Sequence, residues 1–340
     1  MDRNEYRRRT GTLRHAFVMV TRAQEAMQRI RQLHDAHGTS RESDSLLILG
    51  LSGAGKSVVA WHYESLHPPY PAETEDEIIT CYPVLTVKVP VDCSLKALAG
   101  AILAALGDVA PTHGNQVEWT RRAVGRLHKH RVEVLIFSEF HHLINSKTEE
   151  VIEDAAEYLK SLLNENVCQF LLVGQPKGIR ILRPDGQNER RGQGAFFIDP
   201  YDWSVEQDRK EFRIVLNEME KALELPQPSR LGSYDNALRI YNFSRGLPGH
   251  ASRLLVKALW IAMTEELPFI SRPLLARAAE ELRNPNRRRW FNPFLEGAPA
   301  KPVAPAQLGD DEEGKLADIS EAKRKRRANS RSREDDHDIP

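Results

Sequence analysis

The sequence predicts an α/β fold, a mostly parallel sheet with helices on both faces, then a small helical lid and a disordered tail. Three observations lead there. The apolar run Leu46–Leu49 ends in a glycine-rich loop and a helical segment. Short apolar runs then alternate with helix-period segments up to about residue 203. From about 204 to 283 the strand signals stop and only helical periodicity continues.

The loop after the first strand carries the chemistry. Gly50-x-x-x-x-Gly55-Lys56-Ser57 has the spacing of a phosphate-binding P-loop, between a buried strand and a helix opening at Val58. Glycines let the backbone of Ser52, Gly53, Ala54 and Gly55 curl, so that N–H groups point inward at phosphate oxygens. The helix N-terminus adds partial positive charge at the same place. Lys56 is expected to reach the β- and γ-phosphates and Ser57 to ligate Mg²⁺.

Ahead of that strand, residues 1–14 are polar and basic and read as a flexible arm. Ala23, Met27, Ile30 and Leu33 recur at helical spacing between about Val20 and His34. That helix either covers a bound base or simply packs on the sheet. After the P-loop helix, Pro68–Glu77 reads as a proline-rich loop. Val84–Val89 follows as a strand. Ser94 caps a helix through Leu106 that Gly107 ends, and a further helix spans about Gln116–His130. Val134–Phe137, Gln169–Val173 and Ala195–Ile198 read as strands, with a helix over about Glu149–Asn164.

The lid segments are 204–224, 233–243, 248–266 and 271–283, punctuated by Pro226-Gln-Pro228 and Gly246-Leu-Pro-Gly249. The division expected is thus a core at 15–203, a lid and C-terminal segment at 204–297, and a disordered tail at 298–340. That tail has almost no large apolar residues. Its Lys323–Arg327 run either touches DNA or is a solvated charge block.

Composition bounds the partners. Net charge is zero, so bulk charge points to no nucleic acid and any basic surface is local. Three scattered cysteines make neither a disulfide framework nor a zinc site. No apolar run reaches membrane-spanning length and the N-terminus lacks a signal-peptide core, so a reducing, cytoplasmic setting without membrane partners is expected.

An acidic pair should end the strand that starts at Val134. Here the pair reads Ser138-Glu139. Glu139 is placed to polarise an attacking water. Ser138 stands where a second carboxylate would help hold Mg²⁺, so metal retention there is weak and slow hydrolysis is expected. Gln175, at the end of the next strand, either senses the γ-phosphate or makes a plain loop hydrogen bond. His141 and His142 lack an evident ligand cluster and read as orienting neighbours or facing nucleic acid. Arg190 and Arg191, before the last core strand, either reach the nucleotide of an adjacent subunit or form a solvated basic loop. Arg253, in the lid, either reaches the γ-phosphate in cis or lies on the surface. Lys96, Arg121 and Arg122 are candidates for contacting DNA phosphates; the alternative is plain surface charge.

The order of P-loop, strand-Glu139, Gln175, arginine loop and Gly246-Leu-Pro-Gly-x-x-x-Arg253-Leu-Leu resembles the AAA+ ATPases. Phe137-x-Glu139-Phe-His-His-Leu143 and the lid motif look like the TnsC/TniB group of transposition regulators, over residues 15 to 295. Ser138, where that family usually carries Asp, is the clearest departure. The resemblance implies ATP and Mg²⁺ as cofactors and self-assembly into a ring or helical filament on double-stranded DNA. It also implies transposase subunits and a TnsD/TniQ-type targeting adaptor as partners, CRISPR-guided elements included, at a bacterial, nucleoid-associated location. Alternatives are a replicative helicase loader or origin-binding AAA+ protein, and a nucleotide-binding scaffold without turnover.

Overall fold

A computed structural model describes residues 2–39, 42–75, 77–91, 93–108, 115–143, 149–182, 192–283, 291–298 and 301–307. Five strands form one parallel sheet: β1 Ser45–Leu49, β4 Val84–Lys88, β5 Val134–Ser138, β6 Gln169–Gly174 and β7 Gly192–Phe197, in the order β4-β5-β6-β1-β7. Every β1 residue is buried. Alternate residues feed opposite faces: Leu46 and Ile48 join one apolar core, Leu47 and Leu49 the other. Burial on both sides explains why the strands read as unbroken apolar runs.

One face is covered by α2 Thr21–Asp35 and α3 Lys56–Ser65, with Met27, Ile30, Leu33 and Tyr63 in its core. The other is covered by α4 Leu95–Ala105, α5 Gln116–Lys129 and α6 Glu149–Asn164. Ser94 caps α4 through Ala97 N–H, and Gly107 takes φ +69 just past its end. Asn115 and Glu118 close a reciprocal capping box on α5.

Four helices follow the sheet: α7 Glu206–Leu223, α8 Tyr234–Ser244, α9 Pro248–Thr264 and α10 Arg272–Glu281. Asn292-Pro293-Phe294 docks on them. The Asn292 amide donates to Ala276 O at 2.8 Å, Arg239 Nη1 donates to Pro293 O at 2.6 Å, and Phe294 is buried.

Three expectations are corrected. Residues 1–14 are not a free arm: Arg3–Arg14 is a helix, α1, lying against α7 and α9. Leu13 is 1% exposed, Arg8 pairs with Glu224, and Arg9 donates to Leu223 O at 3.2 Å. Tyr6, Thr10 and Leu13 supply a narrow buried stripe among the arginines. Pro68–Glu77 is not wholly loop, since β2 Tyr70–Glu73 pairs antiparallel with β3 Ile78–Cys81. The tail does not leave the fold at 298. Asn242 grips residues 301–303 by donating to Lys301 O and accepting from Val303 N–H, both at 3.0 Å. Arg245 donates to the carbonyls of Ala304 and Pro305, and its own carbonyl accepts from Ala306 N–H at 2.9 Å. Residues 308–340, with the Lys323–Arg327 run, lie outside the described residues. Among the described residues no helix is long and apolar enough to cross a membrane.

Truncating the α1 anchor tests its docking. Leu13→Ala is expected to lower the unfolding free energy by about 2–4 kcal/mol in urea titrations, whereas an undocked arm would show no change.

Candidate nucleotide site at the carboxyl edge of the sheet

Parallel pairing brings the site together. Leu49 is in register with Gly174, and Ser138 with Val173, so the loops after β1, β5 and β6 emerge side by side. This carboxyl edge is where open α/β sheets bind ligands. β7 closes in from the far side so tightly that a Cβ on Gly50 would lie 2.4 Å from Ile198 O. Gly53 and Gly55 take φ +83 and +106, the left-handed conformations that favour glycine.

Gly55 caps α3 with no side-chain hydrogen bond, and Ser52–Val59 all line a cavity of about 450 Å³. The lining is of two kinds. Leu13, Phe17, Val18, Ile198, Val215 and Met219 supply apolar walls. Lys56, Ser57, Glu139, Gln175 and Arg253 supply the polar groups. Apolar walls together with a cluster of donors suit a base with a phosphate chain.

Lys56 is 7% exposed, and its ammonium donates to Gly50 O and Leu51 O, each at 2.8 Å. Burial pulls its pKa down to about 8, while the Glu139 carboxylate pushes the other way. Arg253 is exposed to the cavity and has no partner among the described residues. Two cations facing a pocket, one buried without a contacting carboxylate, are a fit for a polyanion.

The lid rests on this loop. Gly249 N–H donates to Gly53 O at 2.8 Å, and a Cβ on Gly249 would lie 2.7 Å from Gly53 Cα. Gly246 takes φ +80, and a Cβ there would lie 2.1 Å from Tyr201 O. Both glycines of Gly246-Leu-Pro-Gly249 are therefore required by close backbone approach. Arg253, one turn along α9, reaches the cavity because of this contact.

Glu139 takes φ +58, a left-handed conformation that costs a non-glycine residue about 1 kcal/mol or more. The turn leads into a 3₁₀ segment, Phe140–Leu143, that folds His141 back beneath the sheet edge. The sequence reading found no ligand cluster around the histidines. The structure corrects this: ligand atoms of Glu139, His141 and His142 lie within 4.8 Å of one another. Ser138 is half-buried and not among the described residues lining the cavity. Of the two hydroxyls expected to hold Mg²⁺, Ser57 lines the cavity and Ser138 does not.

Cavity residues that sequence reasoning missed come from the joint between α1 and α2. Phe17 stacks on His62 at 3.7 Å and supplies an apolar wall. Its signal was the apolar Phe17-Val18 pair just ahead of the helical pattern that starts near Val20. Of the proposed DNA contacts, Lys96 lies 4.5 Å over the Trp119 ring and Arg122 pairs with Asp108 at 2.5 Å. Arg121 is exposed. Arg190 and Arg191 lie outside the described residues.

A parallel sheet with this strand order, a P-loop at the end of β1 and a helical lid seated on it define a P-loop NTPase fold of the AAA+ class. The fold is similar to that of ORC1 from Aeropyrum pernix, solved in complex with DNA (TM-score 0.54, 18% identity), over 78% of this chain and 66% of that one, just under two thirds. It is similar also to Cdc6p from Pyrobaculum aerophilum (0.57, 16%), over 78% and 68% of the chains. ORC2 from Aeropyrum pernix, solved as ADPNP-ADP complexes, gives 0.55 and 17%, over 77% and 68%. The particular family comes from sequence: a profile described as "Bacterial TniB protein" matches residues 9–197, and the chain belongs to the TniB family. No curated protein matches it.

The buried lysine yields a signed prediction. Its folded pKa of about 8 lies below the ordinary 10.5, so between those values the unfolded chain still holds a proton the folded chain has released. Stability of the nucleotide-free protein should therefore rise with pH across that window relative to Lys56→Met, by up to about 3 kcal/mol. Unfolding titrations at several pH values, with the variant as baseline, measure it.

Proposed function

We propose that this protein is an ATP-dependent, DNA-binding regulator of transposition, which assembles on double-stranded target DNA and recruits the transposase, linking it to a TnsD/TniQ-type targeting adaptor. The observation that carries the reading is the pair of cations, Lys56 and Arg253, brought to one polyanion-shaped cavity from core and lid. TniB membership supplies the biological direction. The solved proteins of similar fold include one captured with DNA and one with ADPNP and ADP, which agrees with both ligand classes.

In this reading the P-loop N–H groups and Lys56 hold the β- and γ-phosphates, and Arg253 ties the lid to the γ-phosphate. Gln175 senses that phosphate from β6. Arg190 and Arg191 would reach the nucleotide of the next subunit, making ATP a ligand between copies. Anything that binds only the assembled form favours assembly by mass action. Mg²⁺, held by the Ser57 hydroxyl and weakly by Ser138, would supply charge neutralisation between the phosphates. Glu139 orients and deprotonates the attacking water. The missing carboxylate at Ser138 makes hydrolysis slow, so ATP acts chiefly to assemble and its hydrolysis to release. DNA is gripped through phosphates, with Arg121 the best-placed cation and Lys96 and Arg122 secondary.

Sedimentation and electron microscopy with a 200-mer duplex, a length of about 680 Å at 3.4 Å per step, test the assembly. Duplex-coating oligomers are expected with ATP or a non-hydrolysable analogue and not without nucleotide. A monomer indifferent to DNA in every nucleotide state would overturn the reading, and a stable complex with a hexameric helicase would favour a loader. Ser138→Asp is expected to raise turnover about tenfold or more by tightening the metal, with assembly retained; unchanged turnover in the variant rejects the slow-hydrolysis mechanism. Arg121→Ala should weaken duplex binding regardless of sequence and reduce the log–log salt slope by about one.

A further inference from the structure

Beneath the cavity, one histidine links two residues that the proposed mechanism uses separately. His141 is 2% exposed and packs against the end of β6. Room for it comes from Gly174, where a Cβ would lie 3.2 Å from His141 N and 3.4 Å from its Nδ1. The Gln175 backbone N–H donates to His141 Nδ1 at 3.4 Å. A ring nitrogen that accepts carries no proton, so the imidazole proton sits on Nε2. Nε2 in turn faces the Glu139 carboxylate, with Oε2 at 3.6 Å. Burial, helped by the nearby positive groups of His142, Lys177 and Lys56, pulls the His141 pKa down to about 4. The ring is therefore neutral at physiological pH, and its single proton is committed.

We propose that His141 is a positioning residue that couples Glu139 to Gln175: Nε2–H steers the carboxylate while Nδ1 holds the N–H of the residue at the end of β6. The proposal rests on the reading of Glu139 as general base and Gln175 as phosphate sensor. A 3.6 Å contact in the nucleotide-free protein shortens when the site closes, as hydrogen bonds in resting sites do. A shift of Gln175 toward a γ-phosphate then moves the imidazole, and the imidazole moves the base. One rigid ring in a buried slot transmits the displacement with few rotamers to absorb it.

The same atoms bear on the competing reading, a metal held by Glu139, His141 and His142. His142 Nδ1 is buried without a hydrogen-bond partner, which fits a ligand. A metal on His141 Nε2, however, forces the proton onto Nδ1, where it would meet the Gln175 N–H, donor against donor. Ligating histidines donate their second N–H to an oxygen. Among the described residues the partner of Nδ1 is the Gln175 N–H, a donor, so the geometry favours the hydrogen-bonded link.

Two measurements on the full chain test this. Histidine-selective ¹⁵N NMR of the nucleotide-free protein, with the His141 signals identified by their loss in His141→Gln, should show a neutral ring protonated at Nε2 from about pH 5 to 8. Glu139→Gln should shift that Nε2 resonance. A ring protonated at Nδ1, an imidazolium, or Zn²⁺ at micromolar levels moving both His141 and His142 together would overturn the proposal. In single-turnover and steady-state ATPase assays, His141→Asn keeps an acceptor at the Nδ1 position but lacks the Nε2–H donor. It is expected to lower kcat about tenfold to a hundredfold with ATP affinity little changed. His141→Gln, which extends a donor toward Glu139, should recover part of the loss. Equal, wild-type kcat in both variants rejects the link. Wild-type protein that binds ATP but never hydrolyses it would instead refute the enzymatic reading and leave the NMR result to decide the placement of His141.

Discussion

The structure is organised around a buried ammonium group. Lys56 is nearly enclosed, and the partners it contacts are two backbone carbonyls of its own loop. Burial strips water from the cation and the carbonyl dipoles do not fully make up for it, which is why its proton affinity falls. A charge held in that state is preorganised for an anion and costs the empty protein stability. The glycines around it serve this arrangement. Gly53 and Gly55 bend the chain about the ammonium, Gly50 lets the end of β7 come close, and Gly249 lets the lid press on the loop from outside.

Register does the rest of the positioning. Because the central strands are parallel and in step, every residue just past a strand end falls on one rim. Residues far apart in the chain, Gly50, Glu139 and Gln175, become neighbours without any long-range recognition beyond strand pairing. A slip of one residue in β5 would exchange the faces of Phe137 and Ser138 and carry Glu139 away from the loop. The strained turn at Glu139 then sends the chain into a short 3₁₀ segment rather than onward into helix α6.

Where the chain makes local signals, the sequence was legible. Unbroken apolar runs gave the core strands, a serine cap gave the start of α4, and P-loop spacing gave the cation and its loop. What escaped were features stabilised by distant partners. The α1 stripe of Tyr6, Thr10 and Leu13 is diluted by the helix's own five arginines, Arg3, Arg7, Arg8, Arg9 and Arg14. It is buried only because α7 and α9 lie against it. The 301–307 strap has no periodicity, since it is held by side chains of Asn242 and Arg245 gripping its backbone. Arg122 looked like a surface cation because Asp108, fourteen residues earlier, carries no pattern that marks it as a partner. The pairing of His141 with Gln175 depends on strand order, which residue spacing alone does not specify.

The placement of α1 ties two moving parts together. This first helix belongs to the lid by its packing, yet the linker that follows it, Ala16 to Val18, lines the pocket. The chain then enters the sheet layer through α2. A swing of α7 and α9 relative to the strands would therefore pull on that linker, and would carry Gly249 and Arg253 with it. Lid angle and pocket width are geared to each other through the covalent chain itself.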